Sequence, residues 1–98
     1  MAYKIEITDT AFNDLDEILN YIANTLNNTT AAKKLLNEFK SELENVALFP
    51  FAMAKLKNSK KEYRKFFVGN YIVIYKVDGD IISILTIRYA PMKLGDDI

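Results

Sequence analysis

The chain contains no cysteine and no histidine among its 98 residues. Without cysteine it can form no disulfide, carry no thiolate nucleophile and offer no cysteine metal site. Without histidine it lacks the commonest general base and the commonest metal ligand. Any catalysis must therefore use Tyr, Lys, Arg, Asp or Glu, and we expect neither a metal nor a cofactor.

Long apolar runs are also missing. No run approaches the roughly 18 residues that span a bilayer, and the opening MAYKIEITD lacks the apolar core of a secretory leader. These features predict a cytoplasmic protein with no membrane partner. With 50% apolar and 27% charged residues, the composition predicts a single globular domain over residues 1–98.

The zero net charge conceals two oppositely charged halves. Residues 1–50 carry four lysines against eight acids, a net −4, and residues 51–98 carry nine cations against five acids, a net +4. Such a split indicates either an anionic partner for one half or self-association of opposite ends, as in a homodimer.

The first half is dominated by two amphipathic helices. Apolar residues three and four positions apart predict a helix over about 10–26, which Thr8 or Asp9 can cap. The same spacing predicts a second helix over about 31–48, with Thr30 as its N-cap. The short polar connection between them predicts an antiparallel helical hairpin.

The second half contains two hairpin signals, Gly69-Asn70 and Asp78-Gly79. Tight turns need a positive φ, which Gly and Asn tolerate best. The signals predict an antiparallel meander of three strands, at roughly 62–68, 71–77 and 80–89. Period-two alternation from Tyr3 adds a first strand, so the order is β-α-α-β-β-β. The fold class is α+β, with the helical hairpin packed on a small sheet.

Two-residue turns also fix which residues share a face of the sheet. Tyr75 would lie opposite Arg64 on one neighbouring strand and opposite Ile82 on the other. One face would hold Arg64, Phe66, Val68, Tyr71, Val73, Tyr75, Ile82, Ile84 and Arg88. The other would hold Tyr63, Lys65, Phe67, Ile72, Ile74, Lys76, Leu85, Ile87 and Tyr89. Because two helices cover only one face, we expect the C-terminal tail, a second copy or a partner segment on the other.

A basic segment (residues 55–65) leads into the meander. Its cations are Lys55, Lys57, Lys60, Lys61, Arg64 and Lys65, and Glu62 is the only acid among them. The segment is interpreted either as a solvated loop or as a contact surface for phosphates or an acidic peptide.

Three stretches of the chain resemble the RelE/ParE superfamily of bacterial toxins from type II toxin–antitoxin systems: AFNDLDEILNYIA, ENVALFP and EYRKFFVGNYIVIYKVDGDIISILTIRYA. The resemblance covers nearly the whole chain. It implies a plasmid-stabilisation (addiction) toxin that is silenced in a hetero-oligomer by a cognate antitoxin, whose C-terminal segment wraps across the toxin. RelE-like members cut mRNA in the ribosome, and ParE-like members poison DNA gyrase.

As a RelE-like endoribonuclease, the chain would need cations on the scissile phosphate, a base and an acid. The candidates are Arg64 and Arg88 as phosphate clamps, Tyr89 as acid or stacking platform, and a lysine or Glu62 as base. The strand assignment places the two arginines near opposite ends, which disfavours one compact site.

The sequence also departs from the nuclease pattern at Tyr71, which is followed by Ile72 where such nucleases commonly carry a basic residue. This depletion favours the ParE-like branch, which acts on gyrase and is not an enzyme. Target or nucleic-acid contacts are then expected from Lys55, Lys57, Lys60, Lys61, Lys65 and Lys93. The alternatives are the ribosome-dependent nuclease and a degenerate, non-toxic module that only binds an antitoxin.

Overall fold

The computed structural model describes residues 3–57 and 60–90. The elements are β1 (Lys4–Ile7), α1 (Asp9–Asn20), a π-helical turn (Tyr21–Thr25), α2 (Thr29–Leu48), β2 (Arg64–Val68), β3 (Tyr71–Asp78) and β4 (Ile81–Tyr89). The predicted α+β order of one strand, two helices and three strands is confirmed. Within these residues, no helix combines the length and the apolar character that a membrane span requires.

Polar side chains fix the start of each helix. The Thr8 hydroxyl accepts a hydrogen bond from the amide three residues on (3.2 Å) and donates to the Ile84 carbonyl (2.8 Å), so it caps α1 and ties it to β4. The N-cap of α2 is Asn28, whose side-chain oxygen accepts from the Ala31 amide at 3.0 Å. The prediction of Thr30 is wrong, because the asparagine two residues earlier already satisfies the first free amide.

The four strands form one mixed sheet in the order β1-β4-β3-β2. β1 runs parallel to β4, and the meander β2-β3-β4 is antiparallel, as predicted. β1 pairs only with the first part of β4, up to Ile84. Beyond that point the carboxylate of Asp14 in α1 supplies the hydrogen-bond acceptor for the edge of β4. It accepts from the Thr86 hydroxyl (2.7 Å) and the Ile87 amide (3.1 Å).

Both hairpin turns place glycine first. Gly69 and Gly79 have φ of 57° and 60°, the left-handed region that glycine reaches at least cost. The first turn is the predicted Gly69-Asn70. The second is Gly79-Asp80, since Asp78 is still paired in the ladder, and the predicted Asp78-Gly79 turn is wrong because glycine takes the first turn position here.

The shifted turn changes the register of the meander. Tyr75 lies opposite Arg64, as predicted, but opposite Ile84 instead of Ile82. A further shift of one residue, a β-bulge, follows between Tyr75 and Ile74.

The bulge reverses the predicted faces at the end of β4. Ile87 and Tyr89 lie opposite Val73 and Tyr71, on the side of the helices. Arg88 therefore belongs to the other face. The prediction placed these three residues the other way round, because one extra residue in a strand inverts the alternation that follows it.

The helices cover the face that carries Tyr75. α1 lies against β4 and α2 against β2. The Tyr75 side chain is fully buried, and its hydroxyl donates to the Pro50 carbonyl at 2.6 Å, which anchors the chain after α2. The buried core is formed by Ala11, Phe39, Val46, Phe66, Val68, Val73, Tyr75, Ile82, Ile84 and Ile87.

The second face is not an open apolar surface. Ile72 and Ile74 are 1% and 7% exposed, and Lys65 is 4% exposed. The centre of this face is therefore already buried in the single chain, and a second copy or a partner segment on its remaining surface stays a prediction. The C-terminal tail that was one predicted cover falls in residues 91–98, outside the described residues.

Candidate functional site

Arg64 holds the chain segment that follows α2. Its Nη1 donates to the Met53 carbonyl at 2.6 Å and to the Phe51 carbonyl at 3.2 Å. The guanidinium also lies over the Phe51 ring, 5.2 Å from its centroid. These contacts make Arg64 a fold-stabilising clamp, with its charge directed at backbone carbonyls of its own chain.

The three predicted nuclease residues do not converge. Arg64 lies opposite the buried Tyr75 on the helix side of the sheet, whereas Arg88 lies opposite Ile72 on the other side. Tyr89 is exposed on the helix side, at the far end of β4. A scissile phosphate could not contact both guanidiniums at once, because the sheet separates them.

The cations of the basic segment differ in their exposure to solvent. Lys55, Lys57, Lys60 and Lys61 are all exposed. Lys55 pairs with Glu62 at 3.5 Å, an exposed contact of little energetic weight. Lys65 is buried on the second face, so it is not placed as a surface contact. Lys93 lies outside the described residues.

An open cleft of about 780 Å³ lies where α1, the π-helical turn and the start of α2 face the paired ends of β3 and β4. We call it the tyrosine cleft, after Tyr21, Tyr71 and Tyr89 in its wall. Its other lining residues are Asp14, Glu17, Ile18, Ile22, Leu26, Asn28, Ala31, Asn70 and Ile87. The lining is mainly apolar, with two carboxylates and no lysine or arginine among the described residues.

The tyrosine rings form a connected group. The centroids of Tyr71 and Tyr89 are 5.4 Å apart, with their planes tilted by 56°. Burial raises the pKa of the Tyr71 hydroxyl above its usual value, and the neighbouring Tyr89 and Tyr21 raise it further. Tyr71 therefore stays protonated at neutral pH, where it is a hydrogen-bond donor and a neutral ring surface.

The two carboxylates lie one helical turn apart on α1. Asp14 is held by Thr86 and Ile87, so its position is fixed relative to β4. Glu17 is exposed, and within the part of the chain that the structure describes its side chain has neither an ion pair nor a hydrogen bond. Within the described residues neither carboxylate pairs with a lysine or an arginine, so this wall of the cleft is acidic.

A change from α-helix to π-helix shapes the helical wall of the tyrosine cleft. After Asn20 the helix continues as the π-helical turn, in which the Leu26 amide donates to the Tyr21 carbonyl at 3.0 Å. Tyr21 and Leu26 are left 53% and 54% exposed beside the cleft. Such π-helical turns are frequent at functional sites.

The sequence predictions identified Tyr89 at this site and missed Tyr21, Asp14 and Glu17. The two acids had no role in the predicted site, and Tyr21 lies beside the row of apolar residues on its helix. The signal that could have identified Tyr21 was its aromatic side chain beside the apolar residues of the helix, where it was not needed for the core. Within residues 3–57 and 60–90 no group of acidic side chains is placed to hold a metal ion.

Comparison with known proteins assigns the fold to a family. The family model described as ParE toxin of type II toxin-antitoxin system, parDE, matches residues 5–94. A search of curated proteins gave no significant match.

Several solved structures share the fold. The chain resembles the chromosomal ParDE system from P. aeruginosa with a TM-score of 0.76 and 19% identity, covering 91% of this chain and 97% of that chain. It resembles the RelBE2 toxin–antitoxin complex from Mycobacterium tuberculosis with a TM-score of 0.64 and 16% identity, covering 91% and 99%. It resembles the YoeB dimer from Staphylococcus aureus with a TM-score of 0.62 and 18% identity, covering 91% and 98%.

At these identities the structural matches show the fold alone. The family model matches nearly the whole chain and therefore shows the family. The chain belongs to the ParE toxin family of type II toxin–antitoxin systems.

Proposed function

We propose that the protein is a toxin that inhibits DNA gyrase and is neutralised by a cognate antitoxin. The observation that carries the choice of gyrase is the separation of Arg64 and Arg88 on opposite faces of the sheet. Ribonuclease chemistry needs cations, an acid and a base around one phosphate. A gyrase inhibitor needs only a binding surface, for which the exposed lysines of the basic segment are the candidates.

The proposed antitoxin partner is supported by the open tyrosine cleft and by the relatives. Large apolar side chains such as Tyr21 and Leu26 are exposed beside the cleft, and such surfaces suit an amphipathic partner segment. The ParDE and RelBE2 structures are described as a toxin–antitoxin system and a toxin–antitoxin complex.

The proposed target surface is the exposed part of the basic segment. Lys55, Lys57, Lys60 and Lys61 project from a loop on the β2 side of the sheet, whereas the tyrosine cleft lies at the junction of α1, α2 and the end of β4. Long cationic side chains attract an acidic protein surface or DNA without reading sequence. Because gyrase and its DNA lie in the bacterial cytoplasm, we propose that the toxin acts there.

The test is induced expression in a bacterial host with two readouts on the same culture. We expect growth arrest with loss of negative supercoiling in a reporter plasmid, and intact mRNA in ribosome-bound fractions. Arg88→Gln should keep the arrest, because that residue has no catalytic role in the proposal.

A ribosome-dependent nuclease is the second candidate. The observation that favours it is the position of Tyr89, which is 65% exposed beside Tyr71 in an open cleft. A nucleobase of the RNA could stack on its ring there. Site-specific mRNA cleavage that disappears in Tyr89→Ala, which removes the ring, would establish this candidate and reject gyrase. Absence of growth arrest together with retained antitoxin binding would instead identify a non-toxic module.

A further inference from the structure

We propose that the tyrosine cleft is a receptor for a cationic side chain, an arginine or lysine flanked by apolar residues in the antitoxin segment. The cation would lie among the rings of Tyr21, Tyr71 and Tyr89 with its charge facing Glu17 and Asp14. The identity of the occupant as antitoxin rests on the proposed function; the chemistry of the cleft does not.

The rings provide the first half of the recognition. Cations are attracted to the faces of aromatic rings within about 6 Å of the centroid. The ring centroids of Tyr71 and Tyr89 are 5.4 Å apart with their planes tilted by 56°, and both residues line the cleft. Tyr21 completes the group from the helical wall and lies close enough to affect the ionisation of Tyr71.

The charge of the lining provides the second half. Asp14 and Glu17 are its only charged residues within the part of the chain described, and both are acids. Glu17 has no intramolecular partner there. An apolar occupant would leave these charges unpaired and partly desolvated, whereas a guanidinium or ammonium group would pair with them.

The same chemistry already occurs elsewhere in the molecule. At the opposite end of the helices the exposed Phe51 ring is covered by Arg64, with the guanidinium 5.2 Å from the centroid. Tyr63 is covered by Lys61 at 5.9 Å. The tyrosine cleft differs from these two sites because no cation of the described chain lines it.

The size of the cleft fits a short peptide segment. Pockets for small ligands typically enclose about 300–1,000 Å³, and this cleft encloses about 780 Å³. Ile18, Ile22 and Leu26 of the helical wall are placed to contact the apolar neighbours of the cation.

The experiment uses two peptide probes that differ only in charge. One is the acetylated and amidated tripeptide Leu-Arg-Leu, and the other carries citrulline, a neutral isostere, in place of arginine. Titration of the isotope-labelled full chain, followed by NMR, should shift the signals of Tyr21, Tyr71 and Glu17 with the arginine peptide. We expect about tenfold weaker binding of the citrulline peptide.

Matched variants separate charge from surface. Glu17→Gln should weaken the arginine peptide about fivefold and leave the citrulline peptide unchanged. Asp16→Asn removes a charge from an exposed position of the same helix outside the cleft, and should leave both peptides unchanged. Equal binding of the two peptides, shifts confined to other surfaces, or an equal effect of Asp16→Asn would overturn the proposal.

The outcome is independent of toxicity. Peptide discrimination in a protein that causes no growth arrest would retain the cationic receptor and reject the gyrase proposal. Growth arrest with loss of negative supercoiling, caused by a protein that does not discriminate the peptides, would retain the gyrase proposal and reject the cationic receptor.

Discussion

At the residue scale, the guanidinium of Arg64 is engaged by two backbone carbonyls and one ring. We therefore expect Arg64→Gln to lower the free energy of unfolding by about 1–3 kcal/mol, since the partly buried Met53 carbonyl and the exposed Phe51 carbonyl lose a charged donor. Arg88 is exposed, so Arg88→Gln should change the free energy of unfolding by less than about 0.5 kcal/mol. Urea unfolding of both variants measures the difference, and equal losses would contradict the structural role of Arg64.

We expect the ionisation of Tyr75 to lower the stability of the protein in alkaline solution. Burial raises its pKa to about 12, although the nearby Arg64 opposes the shift. The folded state then holds a proton that the unfolded chain releases above about pH 10. Stability from this group is full below that pH and is lost as the pH rises from 10 towards 12, by roughly 2 kcal/mol in total.

The matched control for this effect is Tyr75→Phe. The variant loses the hydrogen bond to Pro50, so we expect a stability cost of about 1–2 kcal/mol at neutral pH. That cost should shrink as the pH approaches 12, because phenylalanine does not ionise. A constant difference between the two proteins across the alkaline range would show that Tyr75 does not carry the linkage.

At the scale of elements, the helices, the order of elements along the chain and the meander followed from periodicity and turn residues, whereas the parallel pairing of β1 with β4 was not predicted. The register did not, because a bulge beside Ile74 has no signature in a pattern that reads only apolar and polar positions. That bulge decides which side of the sheet carries Tyr89 and Arg88. Phe12 and Leu26 belong to the predicted apolar stripe yet are 61% and 54% exposed, since periodicity does not show how far the neighbouring elements extend.

Both hairpins depend on glycine for a positive φ. An alanine at Gly69 or Gly79 should cost about 1 kcal/mol of backbone strain. A Cβ at Gly69 would stand 3.6 Å from Leu35 Cδ1, an ordinary contact, and one at Gly79 would meet nothing within 4 Å. The two costs should therefore be equal, with midpoint shifts of about 4–8 °C in thermal unfolding. Asparagine at either position should recover part of the loss, and a much larger loss at Gly69 would indicate a steric cause.

At the scale of the whole molecule, the charge split seen in the sequence has a partial structural counterpart. Asp14 and Glu17 line the tyrosine cleft, whereas the exposed lysines 55, 57, 60 and 61 lie in the loop before β2. The sequence predicted two halves of opposite net charge, but it could not predict the tyrosine cleft. The wall of the cleft combines side chains from α1, β3 and β4, which are far apart in the chain.

The basic segment gives the prediction at this scale. Replacing its four exposed lysines by glutamine should leave the unfolding free energy within about 1 kcal/mol of the original, because these side chains are solvated. Toxicity should be lost and binding at the tyrosine cleft retained. The matched control replaces Lys33, Lys34, Lys40 and Lys4 by glutamine, which makes the same charge change elsewhere. Loss of toxicity in both variants would show that net charge, and not the segment, is responsible.

We propose that this member of the family acts on gyrase and not on ribosome-bound mRNA. The most direct measurement is a supercoiling assay with purified gyrase, relaxed plasmid and increasing amounts of the purified toxin. We predict inhibition that depends on toxin concentration and is abolished by the four-lysine variant of the basic segment. Full supercoiling activity at every toxin concentration, together with mRNA cleavage in a ribosome-dependent translation reaction, would contradict the account.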